Sequence, residues 1–259
     1  RMANEIWSYD TDAYVILEHF GDAAEENALT RMGMLSWRNL VYNYYLPLGG
    51  HSTQTDFNGA RVNTHVSYME SHDEQRQIWE VQNSTDWKGQ SSGNYNTAST
   101  IVALDRLKQN AAFIYLLPGP KMLWQFGELG YDIDINENGR TGNKPLPWGS
   151  GGLGYYADEE RFKVYQTFSA ILNLRTQHSE AFRNGVFTTD LSSSTRRIRM
   201  ESDEFDMVVV GNFGMETETY NGQFSQTGTW YDYITGVELE VITTSQDIEL
   251  LPGEFRIFT

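Results

Sequence analysis

Ala13-Tyr14-Val15-Ile16-Leu17-Glu18 is a short apolar run that ends in a carboxylate. Gly21-Asp22 leads from it into Ala23-Ala24-Glu25-Glu26-Asn27-Ala28-Leu29, a stretch of good helix formers with acids in its first turn. The continuous β-branched character of the first piece predicts a strand buried on both faces, as in a parallel sheet. The same alternation continues downstream. Met32 to Trp37 reads as a second strand and Asn39 to Leu48 as the helix after it, with Tyr42, Tyr44 and Tyr45 packing that helix. Thr64 to Met69 reads as a third strand, with His65 inside it as a hydrogen-bonded core residue. It ends in the polar cluster Glu70-Ser71-His72-Asp73. The Ser-, Asn- and Gly-rich stretch from Trp79 to Asn96 is expected to be a long loop.

From Thr97 the helical period returns through Ile101, Leu104, Leu107, Ala111 and Ile114, until Pro118-Gly119-Pro120 stops it. Lys121 to Phe126 is expected to be a fourth strand, and Glu159 to His178 a long helix. Strand and helix alternating four times predict a parallel α/β architecture. The last part changes character. Met207-Val208-Val209-Val210 and short β-prone pieces between Gly and Thr/Ser turns, ending at Phe255-Arg256-Ile257, predict a small antiparallel sandwich or barrel over residues 184–259, after an α/β part over 1–183. The opening Met2, Ile6 and Trp7 lie one helical turn apart, so the chain reads as starting inside an amphipathic helix and is expected to be a fragment.

Composition narrows the chemistry. Nineteen Lys and Arg against 35 Asp and Glu give a net charge of −16. That disfavours nucleic acid and an anionic membrane surface as partners, because both need clustered cations. The absence of cysteine excludes disulfides, thiolate metal sites and a cysteine nucleophile. The acidic, cysteine-free composition is compatible with a secreted or periplasmic protein. In a parallel barrel, reactive groups stand at the carboxyl ends of strands. Two strands here end in acids, Glu18 and Asp73, and paired carboxylates beside aromatics suit glycoside hydrolysis. Equally, both could be loop acids of an acidic protein.

Several pieces, taken in order, resemble the α-amylase family, glycoside hydrolase family 13. Val15-Ile16-Leu17-Glu18-His19-Phe20 is similar to the family's strand-five segment, which ends in the acid/base glutamate. Tyr68-Met69-Glu70-Ser71-His72-Asp73-Glu74-Gln75-Arg76 resembles its strand-seven signature, and Met122 to Gly130 its strand-eight segment. Asn143-Lys144-Pro145-Leu146-Pro147-Trp148 resembles the stretch that follows, while Val209 to Phe213 and Leu251 to Phe255 look like its C-terminal β-domain. The resemblance implies the second half of a (β/α)8 barrel, equivalent to strands five to eight, followed by a small all-β sandwich. It implies Glu18 as general acid/base and Asp73 as the carboxylate that binds and distorts the sugar. His72 would hydrogen-bond sugar hydroxyls, and Trp148 would stack on a ring. The substrate implied is an α-glucan, starch-like or glycogen-like, with hydrolysis and transglycosylation left open.

The family's nucleophile, an aspartate in an Arg-x-Asp strand end, has no counterpart here; Asp10 and Asp12 stand too close to the Glu18 strand and lack the arginine. This chain by itself is therefore expected to be inactive, and a non-catalytic carbohydrate-binding or assembly module is the alternative. Four open strands also leave two unpaired edges, which predicts a second chain, a homodimer for instance, or further sequence covering them.

Four other features remain. Asp134-Ile135-Asn136-Glu137-Asn138-Gly139 matches the start of an EF-hand loop, but the twelfth position is Pro145 where a bidentate glutamate is required. No cofactor is expected for this chain and no metal ligand is assigned, although the resemblance allows calcium in an intact enzyme; a polar hairpin is the expectation for this stretch. Trp124, near the end of the strand-eight-like segment, could stack on a sugar ring as Trp148 could, but the core is the expectation for it. Arg196, Arg197 and Arg199 are expected on a solvated strand face. The glycines between Gly149 and Gly154 follow no strand, so a phosphate-cradling loop is not expected.

Overall fold

A computed structural model describes residues 1–19 and 21–259; Phe20, part of the strand-five-like segment, lies outside them. The first part of the chain runs α1 (Met2–Tyr9), β1 (Ile16–Leu17), α2 (Ala23–Thr30), β2 (Leu35–Asn39), α3 (Val41–Leu48) and β3 (His65–Tyr68). It continues through α4 (Gln77–Asn83), the short strands β4 (Ser91–Ser92) and β5 (Tyr95–Asn96), α5 (Thr100–Tyr115), α6 (Glu159–Gln177) and α7 (Ser179–Asn184). Strands β1, β2 and β3 form a parallel sheet in sequential order, with Ile16 opposite Leu35 and Ser36 opposite His65. The helical starts are set locally: the Asp22 carboxylate accepts from the Glu25 N–H, and the Asp158 carboxylate from the Glu160 and Arg161 N–H groups, each capping its helix.

Several expectations need correcting. The segment 121–126 is not a strand. It touches the sheet through one parallel bridge, Ser67 to Lys121, where the Ser67 N–H donates to the Pro120 carbonyl and the Met122 N–H to that of Ser67. The chain then turns at Phe126, whose φ of 66° leads into a 3-10 turn at Gly127–Leu129. Strand β1 is only half-buried, because it is the sheet's edge among the described residues and only one neighbour covers its flank. Beside it Met2, Tyr9, Tyr14 and Met32 are exposed. The stretch 79–96 is not one long loop: Ile78 and Val81 bury one side of α4 against the core, β4 and β5 pair as a hairpin, and residues 84–90 between them are irregular. Of the tyrosine cluster, Tyr44 is buried and stacks on Phe57 at 4.1 Å, while Tyr42 is partly exposed.

From Val186 the chain is all strand: β6 (Val186–Asp190), β7 (Thr195–Glu201), β8 (Met207–Asn212), β9 (Glu218–Asn221), β10 (Gly228–Tyr231), β11 (Glu238–Val241), β12 (Asp247–Leu250) and β13 (Phe255–Phe258). Four make an antiparallel sheet in the order β13-β8-β7-β6. The expected second layer is not one sheet but two ribbons, β9 with β12 and β10 with β11. Strand β8 shows how these parts combine. Its alternate residues Val208 and Val210 pack with Phe224, Trp230, Val241 and Leu250, while Met207 and Val209 join Phe113, Ile114 and Phe168 in the main core. Both faces of β8 are therefore covered.

Two of the three arginines expected on a solvated face are not solvated: Arg196 is fully buried and Arg197 nearly so, while Arg199 is half-buried and pairs with Glu201. The Arg196 guanidinium lies 3.8 Å from the Phe57 ring centroid and donates to the Ser52 and Thr55 carbonyls. Burial pulls its pKa down to about 10. Arg106 is likewise fully buried and donates to the carbonyls of Pro47, Leu48, Phe213 and Gly214 and to the Tyr95 hydroxyl. It thus clips the end of α3 to the segment after β8. Replacing it with methionine leaves four carbonyls without a donor, so Arg106→Met is expected to cost about 3 kcal/mol or more in urea unfolding. A loss under about 0.5 kcal/mol would show the carbonyls re-pairing with water.

His65 in β3 is half-buried, and its Nδ1 lies 3.1 Å from the Thr64 hydroxyl. Burial, then the nearby Arg38 charge, lowers its pKa below 6.5. The unfolded chain therefore takes up this proton at higher pH than the folded one, and stability falls as pH drops below about 6.5. Urea midpoints measured from pH 7 to pH 5 are expected to slope less in His65→Gln than in the parent; equal slopes would contradict the assignment.

Candidate active site

Parallel pairing puts the carboxyl ends of β1, β2 and β3 on one side, so the residues just beyond them share a mouth. Glu18 follows β1, Asn39 ends β2, and Ser71, His72 and Asp73 follow β3. Met122 and Trp124 follow the bridge at Lys121. Together they line an open cavity of about 730 Å³.

Three of the four residues named from the sequence meet here. Glu18, His72 and Asp73 each place one side-chain ligand atom within 4.8 Å of the other two, and all three are exposed. His72 Nε2 lies 3.3 Å from Asp73 Oδ2. Trp148 is elsewhere. It does not line this cavity; it packs edge-on against Phe126 at 5.2 Å and beside Tyr156 at 5.8 Å, and is 45% exposed. Trp124, expected in the core, instead forms part of the cavity wall; the 121–126 segment leaves the sheet after one bridge, so its ring is only half-covered. The His72 ring lies against it at 5.7 Å between centroids.

The loop after β3 is held from both sides. The Glu74 carboxylate accepts from the Asn39 amide and from the Ser71 hydroxyl, and Ser71 Oγ in turn accepts from the Asp73 N–H at 3.0 Å. On the other side, Arg140 Nη2 donates to the Asp73 carbonyl and stands 3.8 Å from Asp73 Oδ1. Tyr68, at the end of β3, has its phenol pushed up to about 12 by burial first and then by the charges of Glu74, Asp73 and Glu18. The hydroxyl is therefore a proton donor throughout the physiological range, facing a negative field. Behind the loop Glu70 is buried, with its Oε1 accepting from the Gln77 N–H at 2.8 Å. Burial raises its pKa, opposed by Arg76 and by that hydrogen bond and reinforced by Glu128.

Sequence reasoning missed Trp37, Asn39, Tyr68 and Glu74 as cavity residues. Asn39 and Tyr68 end β2 and β3, which was the available signal for those two; Trp37 lies in the middle of β2 and Glu74 six residues past β3, where strand-end position gives none. The Asp134 stretch forms neither the hairpin expected nor an EF-hand. It is a series of turns in which the Asp134 carboxylate accepts from the Asn136 N–H at 2.8 Å and the Gln75 amide at 2.7 Å. Among the described residues the Glu18, His72 and Asp73 group is the one cluster with metal-ligand proximity. Two carboxylates and an imidazole could hold a divalent cation, but all three are also the groups a polyhydroxylated ligand would use.

No protein-family model matches the chain, and no curated protein does. Solved structures do. An Anoxybacillus α-amylase superposes with a TM-score of 0.68 at 14% identity over 99% of this chain and 54% of its own. The Geobacillus thermoleovorans α-amylase, solved with acarbose, gives 0.65 at 12% identity over 99% and 55%. A pullulanase from Anoxybacillus sp. LM18-11, solved with maltotetraose, gives 0.67 at 14% identity over 98% and 40%. The fold is therefore that of α-amylase-type enzymes, and the chain spans about half the length of these structures or less. Coverage of nearly this whole chain against half of theirs agrees with the half-barrel reading of the motif order; no closed barrel forms among the described residues.

The bracing by Glu74 makes a direct prediction. Glu74→Ala removes the acceptor that joins Asn39 to Ser71, and should cost about 1 kcal/mol in unfolding free energy while speeding amide exchange at His72 and Asp73. Unchanged exchange at those two amides would mean the loop is held without it.

Proposed function

We propose that this chain carries the acid/base side of a retaining glycosidase site for α-glucans. One observation carries the reading: Glu18, His72 and Asp73 converge within 4.8 Å at the strand ends of an amylase-like fold, beside the indole of Trp124. Retention is what the resemblance to α-amylases implies; the separation that decides it is that between Glu18 and the nucleophile, not between Glu18 and Asp73. In the proposed cycle the Glu18 carboxyl gives its proton to the glycosidic oxygen as the C1–O bond breaks. The resulting carboxylate then takes a proton from the water that releases the sugar. Asp73 stabilises the positive charge that builds on the ring, and His72 donates to a sugar hydroxyl. Trp124 supplies an apolar wall for the flat face of a glucose ring, the stacking role that the resemblance implies for Trp148. The latter, outside this cavity, serves at most a more distant part of a long glucan.

Double displacement also needs a carboxylate nucleophile on the opposite face of the sugar. The acids lining the cavity among the described residues are Glu18, Glu26, Asp73 and Glu74. Glu74 is engaged by Asn39 and Ser71, and neither it nor Glu26 sits in the Arg-x-Asp context of the family nucleophile. We therefore expect these 259 residues alone to bind glucan without hydrolysing it. That property overlaps with the binding-module alternative, and the two part at Glu18. In an enzyme supplied with the missing carboxylate, Glu18→Gln abolishes turnover on unactivated maltooligosaccharides while leaving affinity near the parent value. In a binding module no such supply restores turnover.

The first test uses the chain as it stands. Maltotriose titration is expected to change the tryptophan fluorescence, with the change reduced in Trp124→Ala, where Trp37 remains in the cavity, and no reducing ends released. An unchanged spectrum together with no heat of binding in calorimetry would overturn the glucan reading.

A further inference from the structure

The loop between Tyr131 and Trp148 is organised around a single cation that belongs to the chain itself. Lys144 Nζ donates to three backbone carbonyls, those of Glu137 at 2.7 Å, Gly139 at 2.6 Å and Gly142 at 3.1 Å. Three carbonyl dipoles converging on one point repel each other unless a positive charge sits between them. The turn that brings them together requires left-handed backbone at Asn138 (φ 55°) and Gly139 (φ 83°). On its other side Asp134 is tied to Gln75, beside the start of α4, at 2.7 Å. Its pKa is lowered mainly by the Asn136 N–H and Gln75 amide hydrogen bonds, with the Lys144 charge a smaller cause. Arg140 lies inside this ring, one residue past Gly139 and two before Gly142. Its guanidinium reaches back to the Asp73 carbonyl and faces Oδ1. Among the described residues, Arg140 and His72 are the groups that put a cation or potential cation within 4 Å of that carboxylate.

We propose that Lys144 is the built-in cation that closes the 134–144 loop, in place of a bound metal ion, and that through Arg140 it positions the Asp73 carboxylate. Lys144 and Arg140 are positioning residues. The lysine does not line the cavity holding Glu18; it lines a smaller one beside it with Ser71, His72 and Arg140, and in this proposal it acts on Asp73 by fixing where Arg140 stands. The consequence for substrate rests on the glucan reading above, but the loop-to-carboxylate coupling does not.

The test combines Lys144→Met, Arg140→Gln and the double variant, with thermal unfolding to confirm that each is folded. Lys144→Arg keeps the charge and stands in if Lys144→Met does not fold; its planar fork reaches fewer of the three carbonyls, so it should show the same changes in part. The Asp73 carboxyl carbon and the backbone amides of His72 and Asp73 are followed by NMR at fixed pH without ligand. Both single variants should shift the same resonances in the same direction, and the double variant should look like Arg140→Gln alone. Additive shifts, or Asp73 signals unmoved by the lysine variant while the arginine variant moves them, would overturn the coupling. Maltotriose affinity should fall roughly three- to ten-fold in each single variant and no further in the double. If the parent chain does not bind maltotriose, the glucan reading fails while the NMR result still decides the coupling. Calcium chloride added to the parent should leave its melting temperature unchanged. A calcium-dependent rise that persists when Glu18 and Asp73, which could themselves hold a divalent cation, are changed to Gln and Asn would show that a metal, not the ammonium, closes the loop.

Discussion

Parallel pairing of β1, β2 and β3 is the constraint on which the rest depends. Because all three strands point the same way, the residues after each one emerge on the same side of the sheet. Glu18 and Asp73 are distant in sequence and share a cavity only for this reason. Register matters as much as direction. With Ile16 opposite Leu35 and Asn39 opposite Tyr68, the strand ends step across the sheet and their side chains converge instead of fanning out. Helix α3, between β2 and β3, packs its Tyr44 and Leu48 into the same core as Leu104, Leu107, Val164 and Phe168 of α5 and α6.

Alternation of apolar runs with helical periods made the parallel part legible in the sequence, down to the two strand-end acids and the neighbouring histidine. What failed was mostly what depends on partners distant in sequence. Trp79 to Asn96 is polar enough to pass for a loop, yet Ile78 and Val81 need only one apolar face to make α4 a helix against the core. The arginines of β7 looked solvated because charge usually is. Arg196 is instead buried by Phe57 and satisfied by carbonyls more than a hundred residues away in sequence, which no local pattern records. The Lys121–Phe126 run has a strand's composition but leaves the sheet after one bridge, since Phe126 takes a left-handed turn. Trp124 became a wall of the cavity for the same reason.

The candidate site shows a similar division. Motif order named Glu18, His72 and Asp73, and strand ends fixed by the sheet bring the three to one mouth. It did not locate Trp148, whose position depends on a long loop whose path is set by Lys144 and by contacts with Phe126 and Tyr156. Nor did it reveal the bracing of the Asp73 loop by Asn39, Ser71 and Glu74, which is a matter of side chains meeting across two strand ends. Residues held by the sheet could be read from the chain, and those held by other loops could not.

Strand β8 has a consequence of a different kind. With Val208 and Val210 packed against one layer and Met207 and Val209 against another, a strand belonging by sequence to the last part of the chain supplies wall to the core of the first. The change in sequence character near residue 184 is therefore a boundary of architecture but not of hydrophobic burial. Cutting the chain there would expose the α5 side chains that rest on β8, so the terminal sheet is better regarded as a lining of the α/β part than as an appendage. A protein of this shape can vary the far ribbons freely, but the middle of β8 must satisfy two neighbours at once.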